Sequence, residues 1–405
     1  MKLDCFLLFV ILILNKQLVH SFIPASIINF LIGKVDNITQ NSFGKISETL
    51  THEEIVRRGL AKSITKFFYD QKNGSERINL NKISNDYYDY RNIYFDYYNK
   101  TICEPKVKEI MDVELGPNVA LVDIDPTTKD MPYAHFDAET FNQSNNRVIN
   151  FTNAVYNYLS IKNYEKAREL TAQILHTIQD FYSHSNWLEM GNTNQINKLI
   201  GTSNFSTIPV VDASVNQTCE SNCTLVEVPC NNYTQLMVDF LKALNLTKIL
   251  DCPIKMYRCA GNLVTLDKLV SGFYTGQRLE DGTSVPKPKN MLKCSHGGLI
   301  DVDSWLVFPK GGINKDSGYY IFSPRADLHL QSANLAISHT EYYFDQIRKW
   351  IGDKEFDNFL ELTYTDAELA KISNNVTCTK SIGSTIIKFK SPVLIFNCFI
   401  LYFLI

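Results

Sequence analysis

Six cysteines, Cys219, Cys223, Cys230, Cys252, Cys259 and Cys294, crowd a stretch rich in Asn and Thr with little apolar periodicity. Cross-links are what such a stretch has to fix it, either disulfides or a metal. The spacing lacks the paired C-x-x-C knuckles of zinc modules, so disulfides are expected. With Cys5 and Cys398 set apart in the terminal segments, Cys103 and Cys378 complete an even set of eight. Connectivity is open at this level. An irregular, disulfide-rich excursion is therefore placed at residues 205–300.

The two ends agree with an oxidising compartment. Lys2, the apolar run Phe6 to Leu14 and the permissive residues Val19 and Ser21 read as a signal peptide over residues 1–21. Asn15, Lys16 and Gln17 interrupt too early for a bilayer span of roughly 20 apolar residues. At the other end, Ser381, Gly383 and Ser384, a spacer with Lys388 and Lys390, and an apolar tail have the layout of a glycolipid (GPI) anchor signal. Residues 371–390 are then linker and anchor site, and 391–405 the tail. A tail-anchored span and a buried apolar C-terminus stay open as alternatives. The expected location is secreted or on the outer face of the plasma membrane, with the membrane as a partner through the anchor. Eleven N-x-S/T sequons point the same way, to a glycosylated ectodomain. A net charge of −3 gives no electrostatic footprint for nucleic acid.

Between the ends, residues 22–370 read as one mostly α, multi-helix domain. Thr51 is a plausible N-cap, with Glu54 three residues on and Ile55, Leu60, Ile64 and Phe67 at helical period. Residues 84–100 alternate Tyr with Asp and Asn and predict an exposed loop. Helices are expected over Asn145–Leu159 and Tyr164–Trp187, joined by a turn at Lys162 and Asn163. A long amphipathic helix is expected over Ala326–Ile351, and a shorter one near Phe356–Leu362.

Chemistry concentrates in LHTIQDFYSHSNWLEM, Leu175 to Met190. On a helix, Asp180 lies about 40° and His184 about 80° around from His176, so the three share one face. Side chains at i and i+4 are about 5–6 Å apart, close enough for His176 and Asp180 to hold one divalent ion. His184, another turn along, would reach a second ion or a bridging position. His135, beside Asp137 and Glu139, and His52 in the first helix are the other candidate donors, with Asp137 and Glu139 open to a general-base role. Zinc suits such imidazole and carboxylate donors. The ordinary alternative is that both helical histidines bond to neighbouring helices and Asp180 pairs with a base. No G-x-S-x-G, H-E-x-x-H, P-loop or dinucleotide fingerprint is present.

LHTIQDFYSHSNWLEMG resembles the Het-C family signature and, more closely, the N-terminal region of animal secreted proteins that continue into a von Willebrand factor A domain. THEEI at Thr51, HFDAE at His135, CSHGG at Cys294, GINKDS at Gly312 and LHLQSANLA at Leu328 follow the same pattern. The resemblance covers most of residues 22–370. It implies distant kinship with zinc-dependent phospholipase C and single-strand nucleases, hence a helical zinc-phospholipase-C-like fold with two or three zinc ions. His135, His176, Asp180 and His184 match that pattern's order, with His52 as a further ligand. Two departures stand out. The pattern's N-terminal Trp ligand is replaced by Phe22 at the predicted mature terminus. Its later H-x-x-x-E/D also has no counterpart, because Ile300, Ala333 and Tyr343 follow His296, His329 and His339. DASVN at Asp212 is not the D-x-S-x-S of a von Willebrand A domain, and that domain is expected to be absent.

The functions expected are a zinc-dependent phosphodiesterase of phospholipase C type, acting on a phospholipid or other phosphodiester, or a non-catalytic cell-surface module on the same scaffold.

Overall fold

The computed structural model describes residues 49–72, 78, 90–99, 102, 105–230, 235, 238–239, 251–298, 301 and 303–372. The expected signal peptide, the anchor linker beyond Ile372 and the tail 391–405 lie outside these residues, as do Cys103 and Cys378.

Helix α1, His52–Asp70, starts where the sequence predicts, with the Thr51 hydroxyl accepting from the Glu54 amide at 3.3 Å. Helix α2, Tyr90–Tyr97, corrects the expected loop over 84–100. Tyr90, Ile93 and Tyr94 fall at i, i+3 and i+4 and are buried, and the Tyr94 hydroxyl donates to the Leu362 carbonyl at 2.6 Å. The period was concealed because Tyr has an apolar body and a polar tip, and Asn92 and Asp96 between the tyrosines read as polar although both are part-buried.

Helix α3, Val107–Glu109, runs through a π-helical stretch, Ile110–Leu115, into α4, Gly116–Leu121. Helices α5, Phe141–Ser160, and α6, Tyr164–His184, form a hairpin. Asn163 caps α6 by accepting from the Lys166 amide. Helices α1, α4, α5 and α7, His329–Ile351, all pack on α6. As a result α6 is buried on every side from Ile174 to His184, not along one stripe. A short 3-10 turn, Ala326–Leu328, precedes α7, and α8, Asp353–Leu360, and α9, Asp366–Leu369, close the helical part. The core joins Ile55, Leu60, Phe136, Phe141, Ile178, Phe181, Ile337 and Phe344. Among the described residues no helix is long and apolar enough to cross a membrane.

Among its described residues the excursion has little regular structure, as expected, with an antiparallel pair, β1 Thr224–Val228 and β2 Ile254–Arg258, in which Val226 stands opposite Met256. Disulfides join Cys219 to Cys294, Cys223 to Cys259 and Cys230 to Cys252. A small second core of Val211, Leu263, Val270 and Ile313 gathers around the first. Buried lysines do much of the remaining work. Lys315 donates to the carbonyls of Ser185 (2.9 Å) and Ile313 (3.0 Å) and pairs with Glu189 at 3.1 Å, which stitches the end of α6 to the loop after Gly312.

Candidate metal centre

Five histidines and four aspartates meet beside α6. Each imidazole is held by one ring nitrogen and presents the other inward. His176 Nδ1 lies 2.8 Å from the Val119 carbonyl, His184 Nδ1 2.8 Å from that of His135, and His135 Nε2 3.2 Å from that of Thr128. A carbonyl only accepts, so these nitrogens carry the protons and the opposite ones offer lone pairs. His52 Nδ1 is held by the Gln179 side-chain oxygen at 2.7 Å. His296 places Nδ1 3.0 Å from the Gly297 carbonyl, an acceptor shared with the Asn314 amide.

The inward nitrogens converge on carboxylates. Asp180 Oδ1 lies 3.2 Å from His52 Nε2, while its Oδ2 lies 2.9 Å from His135 Nδ1 and 3.0 Å from His176 Nε2. Asp316 spans His184 Nε2 (3.0 Å) and His296 Nε2 (3.3 Å), and accepts from the Ser183 hydroxyl. Three groups each have one donor atom per residue within 4.8 Å of the others: His52, Asp123 and His176; His135, His176 and Asp180; Asp137, His184 and His296. All nine residues are buried, none more than 5% exposed.

Local structure explains the placement. In HFDAE, Phe136, Ala138 and Glu139 have φ of 56°, 50° and 58°, the left-handed region that costs non-glycine residues energy. That tight path lets His135 face one group and Asp137 another, with Asp137 Oδ2 held by the Gln277 amide at 2.7 Å. His296 is clamped by backbone on both sides. A Cβ on Gly272 would sit 2.5 Å from its amide nitrogen, and one on Gly312 would strike its carbonyl. Only glycine permits that approach.

Of the sequence-predicted residues, His52, His135, Asp137, His176, Asp180 and His184 come together. His184 joins a different group from His176 and Asp180, as its extra turn suggested. Glu139 does not join them: Lys293 Nζ neutralises its carboxylate at 2.9 Å. Asp123, His296 and Asp316 were not predicted. His296 and Asp316 lie in the CSHGG and GINKDS motifs, but helical spacing places a partner carboxylate four residues after His296, where Ile300 stands. Here that carboxylate arrives from another loop.

The electrostatics call for positive charge. Burial would raise Asp180, but His176, His184 and His52 outweigh it and hold the carboxyl well below its usual range. Asp316 is likewise depressed against burial, by His184 and His296. Burial, then the negative charge of Asp180 and Asp316, pushes Asp123 well up. Burial lowers His176 to about 3, whereas Asp137, Asp316 and Asp180 overcome burial at His184 and raise it. The donor set fits a cation in two further respects. Asp123 Oδ1 and Asp137 Oδ1 are buried without a well-formed hydrogen bond, 3.4 Å from His176 Nε2 and 3.3 Å from His184 Nδ1, and a cation would complete their pairing. In addition, His176 Nε2 and His135 Nδ1 stand 3.1 Å apart, and His184 Nε2 and His296 Nε2 3.2 Å apart, so lone pairs face each other unless a proton or cation lies between.

Comparison with known proteins places this geometry. Residues 91–248 and 248–357 match the family model described as the VWA7 N-terminal domain. The von Willebrand factor A domain-containing protein 7 of Homo sapiens is 30% identical over 244 residues, 60% of this chain and 22% of that protein. Its Mus musculus counterpart is 32% identical over the same shares. The chain thus spans about a fifth of the length of these relatives. No solved structure matches. These matches correct the expected absence of a von Willebrand A domain. The relatives are named for that domain and the chain aligns with their N-terminal part, so a missing D-x-S-x-S in the aligned region says nothing about it.

Proposed function

The chain belongs to the VWA7 N-terminal domain family, and from that premise we propose that it is an exported domain whose buried His–Asp cluster holds two or more zinc ions and hydrolyses a phosphodiester. The observation that carries the metal reading is the orientation of the imidazoles. Each is anchored through one nitrogen and turns the other toward shared carboxylates, the arrangement that metal-ligating histidines require. The substrate class rests on the motif resemblance.

His176 has one inward nitrogen, so either His52, Asp123 and His176 or His135, His176 and Asp180 would hold one ion through it, and Asp137, His184 and His296 would hold another, with Asp316 beside the last. The chemistry such ions supply when bound is Lewis-acid polarisation of a phosphoryl oxygen and acidification of water. The chain's own part is to fix the donors. Asp180 joins two groups through its two oxygens, and Gln277 holds Asp137 Oδ2 so that Oδ1, 3.3 Å from His184 Nδ1, is the candidate ligand or base. Export is supported by the three disulfides.

A second reading, a non-catalytic module stabilised by the same ions, is favoured by the burial of all nine donors. Elemental analysis of the full chain, with hydrolysis of bis(p-nitrophenyl) phosphate, separates the two. Two or more zinc equivalents, lost in the His176→Ala/Asp180→Ala double variant, together with turnover, is the expected result. Zinc without turnover leaves the second reading. A metal-free protein whose stability the double variant does not change ends both.

A further inference from the structure

We propose that Gln179 is a positioning residue that keeps the His52 proton on Nδ1 and so presents His52 Nε2 as a metal ligand; this rests on the metal reading above.

Three other histidines are oriented by carbonyl oxygens of the backbone, His135 through Thr128, His176 through Val119 and His184 through His135. Those acceptors cannot be reversed, because a carbonyl has no proton to give. At His52 the acceptor is a side-chain amide, which has a donor end and an acceptor end. Gln179 is fully buried. Its Oε1 lies 2.7 Å from His52 Nδ1 and its Nε2 donates to the Thr340 hydroxyl at 3.2 Å.

Reversing the amide would put a donor against Nδ1 and move the ring proton to Nε2. That proton would then point at Asp180 Oδ1, 3.2 Å away, and occupy the lone pair a metal needs. The ring has no room to turn and compensate, since it stacks on His176 with centroids 4.0 Å apart and planes 28° apart. Thr340 therefore does more than fill space. By accepting from Gln179 Nε2, its hydroxyl satisfies the amide's donor end while the oxygen faces His52. Thr340 comes that close because α1 faces it with Gly59, where a Cβ would lie 2.5 Å from the Thr340 methyl. One ligand of the cluster is thus set by a chain from α7 through α6 to α1.

The test titrates zinc into the full-length protein against a chromophoric chelator and reads the His52 tautomer by nitrogen-15 NMR. Gln179→Leu removes the acceptor and should weaken one zinc equivalent by roughly 10- to 100-fold while the others hold, the usual scale for an outer partner of a metal-bound histidine. Gln179→Glu keeps an acceptor and no donor, and should hold that equivalent with Nδ1 protonated. Thr340→Val, which removes the amide's anchor at nearly equal volume, should weaken the same equivalent and mix the tautomers. It carries the test alone if Gln179→Leu does not fold. Wild-type affinity and tautomer in Gln179→Leu or in Thr340→Val overturns the proposal, as does equal loss in Gln179→Glu. A wild type that binds no zinc overturns the metal reading beneath it.

Discussion

Helix α6 and the disulfide-stapled stretch supply the same cluster by different means. On α6, backbone hydrogen bonds and packing by four helices hold His176, Asp180 and His184, so their geometry follows from 3.6-residue spacing. In the stapled stretch and the loop that follows it, His296 and Asp316 have no such repeat. Cys219–Cys294 lies two residues from His296, Gly272 and Gly312 clamp its backbone, and Lys315 stands next to Asp316 with its ammonium on Ser185 and Ile313 carbonyls. Precision comes from periodic structure in one region and from covalent and charged cross-links in the other. The two regions should therefore fail differently.

The largest effect is expected in the helical region. Phe181 is fully buried among Phe136, Phe141, Phe205 and Trp187, so Phe181→Ala should cost ~3–5 kcal/mol. Chemical denaturation would show this, and all three donor groups should loosen together because α6 carries a residue of each. A loss confined to one group would break the comparison.

Replacing Cys219 and Cys294 by serine should cost ~2–4 kcal/mol and act more locally. The group of Asp137, His184 and His296 should lose its metal, while the ion held through His176 stays. Metal counting on the folded variant checks this, and loss of every ion would mean that the stapled stretch supports the whole site.

A sharper test, read as a slope, uses pH. His339 on α7 is pushed down to about 3 by burial, and its Nδ1 accepts from the Tyr182 hydroxyl at 2.7 Å. Its folded pKa lies below the unfolded value near 6.5, so the unfolded chain takes the proton first. The stability tied to neutral His339 is fully present above about pH 6.5 and is lost as pH falls toward about 3. His339→Gln should flatten that decline by up to ~1.4 kcal/mol per pH unit. Equal slopes for variant and wild type in thermal melts from pH 7 to 4 would remove the helical region's acid sensitivity from His339.

Much of the helical part was legible because apolar period and capping are local. Thr51 capping α1 and the shared face of His176, Asp180 and His184 both follow from spacing alone. The buried α2 was missed because tyrosine counts as polar in a periodicity reading. Asp123, His296 and Asp316 were missed because no regular element links them to α6.

The sequence by itself determined which residue types would do the chemistry, the helices that carry half of them, and the need for disulfides around Cys219 to Cys294. Tertiary structure alone decided that Asp316, not a residue four after His296, completes the imidazole pair, and that Lys293 withdraws Glu139. The physical reason is range. Helical spacing is set by bonds within a few residues, whereas these pairings depend on chain closure through disulfides, glycine contacts and buried lysines that join segments far apart in sequence.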